Sequence, residues 1–431
     1  MKKIICESTY FYGSTMENSN SFRLMVRLCD QIDETALRRA LALTVKRYPY
    51  YMVRCTSDGR EYWLEQNDSP FELYHTSEPL LMGSEEVNHY LWAVSYQGDT
   101  LWLNIFHGLG DGSAAMHVLR TLLYYYCRNR YESNLSAEGI RVGDTVPPEE
   151  LENPYEKIVL ERADDQDDAT PMGAKASDKQ EVPSPRPLNL FEDSRLNISE
   201  PVDYKLRIRQ KDLMQYCRVQ DGTPGVVVSL LLARAVDELN PENTRPIVTG
   251  MAVNLRPALE AENYMGSPIG ITYLSYDEKL KDKPFTTQAT GYRGRLILAS
   301  DPDYLRNVVK KSSGLYAMLD DLPQVTAKKA VVQNVLKSTL GMASFTVSYM
   351  GPAKLGAVEQ YVKEIRILVG PGDNPIMVEI MSSNEYFYLD FVQQWKEEIY
   401  FDAFCRQLSL QGIPYELDKK EVQRVPGIEL P

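Results

Sequence analysis

One histidine in this chain sits where acid–base chemistry is easiest to arrange. His107 opens the run His107-Gly108-Leu109-Gly110-Asp111-Gly112, in which three glycines surround a single aspartate. An unperturbed imidazole titrates near ~6.5, so at neutral pH it can take a proton from a hydroxyl or an amine. A base held within hydrogen-bonding reach of its substrate contributes about 10²–10⁴ in rate. Asp111 suits a different task. Set among glycines beside apolar segments, its carboxylate needs a fixed cationic partner, because an unpaired buried charge is strongly unfavourable. A solitary histidine more often fills a strand end and bonds a backbone carbonyl. Of His75, His89, His107 and His117, however, only His107 has the glycine and aspartate frame. His117 falls beside Met116 within a helical run and reads as a packing or surface residue.

The elements that must position His107 are legible on either side of it. Leu101, Leu103, Ile105 and His107 alternate with Trp102, Asn104 and Phe106, giving a strand with two apolar faces that belongs in a sheet interior. The glycines then call for a sharp bend. From Ser113 onward Ala114, Val118, Leu119, Leu122 and Leu123 recur at helical spacing. The unit is strand, glycine turn, amphipathic helix, with the histidine at the strand's end.

His107 to Gly112 resembles the HxxxDG signature of the chloramphenicol-acetyltransferase-like superfamily, which includes condensation domains, alcohol acetyltransferases and plant acyltransferases. A second run, Val253-Asn254-Leu255-Arg256-Pro257 followed by Asn263-Tyr264-Met265-Gly266, resembles the VNLRP and N-x-x-G stretch of such proteins. A third, Val347-Ser348-Tyr349-Met350-Gly351, resembles the strand end that lines the acyl channel, with Tyr349 where the family often has asparagine. The resemblance implies that His107 is the general base, that Asp111 pairs with Arg256 to hold the turn, and that Gly112 permits a close backbone approach. By position in the same resemblance, Asn254, Ser348 and Tyr349 are candidates for the oxyanion donor or the channel wall. Phe106 replaces the first histidine of the doubled HHxxxDG form typical of condensation domains, which points to the alcohol acetyltransferase branch.

The implied fold is α/β, of α+β type. It comprises two chloramphenicol-acetyltransferase-like sandwich subdomains, each a mixed sheet with helices, arranged in a V. At 431 residues the chain has the length for two such units. The expected boundaries are 1–145 for the subdomain carrying the motif, 146–201 for a polar crossover linker, and 202–431 for the second subdomain. The linker is marked by Pro147, Pro148, Pro154, the acidic run Asp164 to Asp168, and Pro183, Pro185 and Pro187.

A net charge of -13 without a basic block disfavours nucleic acid and anionic membranes as partners. Six scattered cysteines lack CxxC or CxxH spacing, so neither a zinc site nor a disulfide framework is indicated. No segment approaches a membrane span, and the first residues lack the apolar run of a signal peptide, so a soluble, cytoplasmic protein is expected.

The implied activity is acyl transfer from acyl-coenzyme A to an alcohol or amine. No metal or permanently bound cofactor is needed, and the partners are a small-molecule acceptor and the thioester. The alternatives are a condensation-type enzyme whose thioester is carried by an acyl carrier protein, and a binding relative without catalysis. A serine hydrolase is disfavoured, since no G-x-S-x-G elbow occurs.

Overall fold

The computed structural model describes residues 2–4, 7–15, 18–131, 134–155 and 186–431. Cys6, the acidic run Asp164 to Asp168, Pro183 and Pro185 lie outside the described residues.

The strand Thr100–Phe106 is buried on both faces, with Leu101, Leu103 and Ile105 on one and Asn104 and Phe106 on the other. It pairs antiparallel with Ser21–Leu28 and with Trp92–Gln97, so it lies inside a five-stranded sheet whose edges are Val362–Val369 and Leu73–Tyr74. The helices Glu34–Arg47 and Gly112–Tyr131 pack on each other and close a core that includes Leu24, Leu37, Leu103, Val118 and Leu122. Each such side chain contributes about 1.5–3 kcal/mol by leaving water. Asp33 starts the first helix by accepting from the Ala36 amide at 2.9 Å.

The larger sheet has seven strands, in the order Ile269–Tyr276, Ile247–Asn254, Phe345–Pro352, Ile376–Ser383, Tyr386–Trp395, Ile198–Arg209 and Glu416–Val422. Its second, third and fourth strands run parallel, and the other pairings are antiparallel. The helices Pro224–Leu239 and Ile399–Leu410 cover one face, where Tyr204, Phe391, Phe401 and Phe404 stack into a dense aromatic core. The helix Pro224–Leu239 is apolar almost all round and correspondingly buried, and Thr223 caps it. On the sheet's other face Ser348, Glu379, Asp390 and Lys205 form one polar row, because they are register partners on consecutive strands.

The expected boundaries follow chain order but do not separate the sheets. Val362–Val369, from the region assigned to the second subdomain, pairs with Ser21–Leu28 of the first, and Gly427–Ile428 pairs with Leu81–Met82. The exchange covers an edge of the first sheet that would otherwise expose unpaired backbone groups. Arg366 on the crossing strand also reaches the second sheet, donating to the carbonyls of Leu206 and Leu389 at 3.2 Å and to Asp418 at 2.8 Å. The expected linker is likewise part of the packed structure at both ends. Glu150 is buried and accepts from Tyr50 at 2.7 Å, and the strand Ile198–Arg209 begins before residue 202.

Candidate active site

His107 follows the last residue of its strand, and its amide donates to Asn20 O at 2.8 Å, which continues the sheet by one bond. The turn then closes with the Leu109 amide on Phe106 O at 2.9 Å. The glycines are demanded by crowding rather than by left-handed backbone, since none of the three has a positive φ. A Cβ on Gly108 would strike the rings of Phe106 and Phe11, and one on Gly110 would fall 2.6 Å from the Tyr51 hydroxyl oxygen. At Gly112 it would fall 2.6 Å from Cε of Met350, so the strand Phe345–Pro352 packs closely on the start of the helix.

Asp111 is almost fully buried, and its Oδ1 accepts from the Ala114 amide at 2.9 Å, capping the helix Gly112–Tyr131. Arg256 donates to both of its carboxylate oxygens, from Nη1 to Oδ2 at 2.6 Å and from Nη2 to Oδ1 at 2.9 Å. The other guanidinium hydrogens go to Tyr264 O at 2.9 Å, Gly266 O at 2.8 Å and Asn254 Oδ1 at 3.4 Å. All five donors are thereby satisfied, which is what a buried guanidinium requires. Arg256 reaches this place because it follows the strand Ile247–Asn254 directly, and the loop it holds delivers Ser267.

Ser267 Oγ lies 3.2 Å from His107 Nδ1 and also makes a very short contact with the carbonyl oxygen of His107. A carbonyl cannot donate, so the serine hydrogen goes there, and Oγ must accept from Nδ1–H. The hydrogen on Nδ1 leaves Nε2 with its lone pair free. Tyr10 stacks on the imidazole with centroids 4.4 Å apart and planes 12° from parallel, and Phe22 tilts against it at 5.2 Å. Burial holds the His107 pKa below the ordinary histidine value, with Asp111 opposing it and the ring's contact with its own carbonyl also favouring the proton. The ring is therefore neutral at pH 7.

The remaining candidates divide. Asn254 Oδ1 accepts from the Arg256 amide at 3.1 Å and from its guanidinium, so this side chain holds the arginine. Ser348 shares a face with Glu379, its register partner on the neighbouring parallel strand. Tyr349 turns to the opposite face, where it packs with Phe387 and against Gly225 in the second core. Sequence reasoning missed Ser267, although it directly follows the N-x-x-G run, because a lone serine carries no spacing signal. It also missed Tyr10 and the buried Arg47–Glu150 pair, to which Arg141 adds a contact at 3.0 Å.

A cavity of about 420 Å³ lies behind the turn, lined by Gly108, Leu109, Tyr50, Tyr51, Met265 and Gly266 among others. A larger one, about 1100 Å³, lies at the far end of the strand that leads to Arg256, beside Ile247, Tyr276 and Lys337. None of the site residues line it. Among the described residues no cluster of three or more His, Cys, Asp or Glu is arranged for a metal, and no described helix is long and apolar enough to cross a membrane.

No family model matches the chain, and no curated protein sequence does either. Solved structures do. TRI101 from F. sporotrichioides, in complex with coenzyme A and T-2, matches with a TM-score of 0.60 at 11% identity, over 96% of this chain and 99% of that one. The first condensation domain of the calcium-dependent antibiotic synthetase matches with a TM-score of 0.60 at 14% identity, over 95% and 96%. The chain has the chloramphenicol-acetyltransferase-like fold. Polyketide synthase associated protein 5 from Mycobacterium tuberculosis is a further match, with a TM-score of 0.57 at 14% identity, over 94% and 96%. The similarity covers 94–96% of this chain and so spans both of its large sheets.

Proposed function

We propose that this protein transfers an acyl group from a thioester to a hydroxyl or amine acceptor, with His107 as general base. The observation that carries the reading is the bond from His107 Nδ1 to Ser267, which leaves Nε2 as the free basic nitrogen at a strand end. Nε2 takes the acceptor's proton as its oxygen or nitrogen attacks the thioester carbonyl. The carbonyl π electrons move to oxygen, and a tetrahedral oxyanion forms. Ser348 is the hydroxyl assigned to that oxyanion, since Tyr349 is committed to the opposite face. The intermediate then collapses, the C–S bond breaks, and the imidazolium returns the proton to the departing thiolate. Asp111 and Arg256 keep the turn in shape without touching substrate.

Acyl-coenzyme A is the proposed donor, and an alcohol the proposed acceptor, in line with Phe106 in place of a second histidine. The coenzyme A complex of TRI101 supports the donor. A carrier-bound donor is the second reading, favoured by the equal TM-score of the antibiotic synthetase condensation domain. Thiol release is measured with a panel of acyl-coenzyme A donors and mixed alcohol and amine acceptors. Acceptor-dependent release from free acyl-coenzyme A supports the first reading. Release only from a loaded carrier protein would move the assignment to the second.

A further inference from the structure

Three arginines near the active-site turn share one carboxylate. Arg47 grips both oxygens of Glu150, at 2.9 and 2.5 Å, and Arg141 contacts the same carboxylate at 3.0 Å. Arg120 has no acid of its own. Its Nε donates to Ala353 O at 2.8 Å, and among the described residues its two terminal nitrogens have no partner. Three guanidinium charges against one carboxylate leave an excess of two, in a chain whose net charge is -13. A half-buried guanidinium without a counter-charge is unfavourable, so the place suits an anion.

The arginines border a stripe that begins at the turn of the base. In the first turns of the helix Gly112–Tyr131 the half-exposed residues are Ser113, His117 and Arg120, which the helical period puts on one outward face. The chain that leaves the strand Phe345–Pro352 follows this face, since Met350 meets Gly112 and, three residues on, Ala353 receives Arg120. Arg141 is seated here by Thr121, whose Oγ1 lies 2.6 Å from Arg141 O and 3.1 Å from His117 O. Its Nη2 donates to Asn263 Oδ1 at 3.3 Å, beside Tyr264, which Arg256 holds, and four residues before Ser267. His117 Nδ1, between these groups, is buried without a hydrogen-bond partner among the described residues. Burial, and after it Arg141, Arg120, Arg256 and Arg47, push the imidazole down to about 3, so His117 is neutral in positive surroundings.

We propose that Arg120 and Arg141 form a phosphate-binding subsite for the donor, holding the phosphate of a pantetheine arm whose thioester lies at His107. The inference rests on the acyl-transfer reading and deepens it. Guanidinium forks match phosphate oxygens and bond them with the help of charge. The spacing agrees, because Arg120 stands ~12 Å along the helix axis from Gly112, less than the length of an extended pantetheine arm. Coenzyme A and a carrier-borne phosphopantetheine present this same group, and the test separates them.

The test compares wild type, Arg120→Gln and Arg141→Gln on three donors with one acyl group and one acceptor. The donors are the acyl-coenzyme A, the acyl-N-acetylcysteamine thioester, which lacks phosphate, and the acylated phosphopantetheinyl carrier protein. In each variant KM for a phosphate-bearing donor should rise about 10-fold or more with kcat nearly unchanged, the scale of a lost charge-assisted hydrogen bond. Turnover of the N-acetylcysteamine thioester should match the wild type. A rise seen with acyl-coenzyme A assigns the subsite to that donor, and a rise seen only with the carrier assigns it to the carrier-borne arm. An unchanged KM for both, or an equal loss on the phosphate-free thioester, overturns the subsite. If one variant does not fold, the other decides. Calorimetric binding of free coenzyme A to the wild type should weaken as salt screens the arginines, and salt-independent binding would contradict their role. Absence of turnover with every donor overturns the acyl-transfer reading, whereas binding of free coenzyme A that weakens tenfold in a folded variant would still uphold the phosphate subsite.

Discussion

Arg256 grips both carboxylate oxygens of Asp111, a residue 145 positions earlier in the chain, at 2.6 and 2.9 Å. With its other hydrogens it holds the loop from Tyr264 to Gly266, whose next residue is Ser267. One guanidinium therefore fixes the turn that carries His107 and the loop that carries the partner of His107. Removing either member leaves a buried charge without compensation. Asp111→Ala and Arg256→Ala should each cost about 3–5 kcal/mol in chemical denaturation. The double variant should cost less than the sum of the singles. Simple additivity would show that the two do not act as a pair. Arg256→Lys should not restore stability, because an ammonium cannot reproduce the two-pronged grip.

In the proposed mechanism Ser267 orients His107 through Nδ1. Ser267→Ala removes the acceptor for Nδ1–H and the bond to the His107 carbonyl, so the ring loses its preferred tautomer and its anchor. We expect kcat to fall by about 10- to 100-fold, within the contribution of a general base, while KM changes little. Unaltered kcat would leave Ser267 as a purely structural loop residue.

The reaction should also report the state of His107 through its pH dependence. Burial lowers the pKa of the imidazole below its ordinary ~6.5. Turnover needs the neutral ring, so kcat should rise with pH, with its half-point on the acid side of that ordinary value. Because the folded-state pKa lies below that of the unfolded chain, acid also favours unfolding across the same window. The profile should therefore be read from initial rates on protein shown to be folded. A half-point above pH ~6.5 would contradict a desolvated, neutral base.

How much of this was legible in the sequence follows from range. The unit Thr100 to Tyr131 could be read because alternation, a glycine run and helical spacing are local signals. Arg256 could be placed opposite Asp111 only through family resemblance, since nothing local relates two residues so far apart. The apolar run Ile365 to Val369 can be read locally as a strand, but that it forms an edge of the first sheet is settled by tertiary pairing with Ser21–Leu28. The strand Glu416–Val422, ELDKKEV, escaped notice because it is an exposed edge with no apolar face to set a pattern. Glu150 lay in a stretch whose prolines and acids resemble a solvated linker, yet Arg47 and Tyr50 bury it. The resemblance puts Ser348 and Tyr349 together as candidates, although neighbours on a strand face opposite ways and only Ser348 lies on the polar face.

Glu379, buried in the sheet, should leave a mark on stability. Its folded-state pKa of about 8 lies above the ordinary glutamate value of 4.5, so the unfolded chain ionises first as pH rises. Its stabilising contribution is full below the ordinary value and is lost progressively up to about pH 8. Glu379→Gln, which cannot ionise, should lose less stability than the wild type between pH 5 and 8 in parallel urea titrations. Parallel curves would show that Glu379 is already charged in the folded protein.

The central claim is that His107 is the base of an acyl transfer, and the most direct measurement is thiol release by His107→Ala beside the wild type. Both proteins would be given the same acyl-coenzyme A donors and acceptors, after circular dichroism and thermal melting confirm that both are folded. The account predicts acceptor-dependent release by the wild type and none above background by the variant, with melting temperatures close together. A folded variant that retains near-wild-type turnover would contradict it.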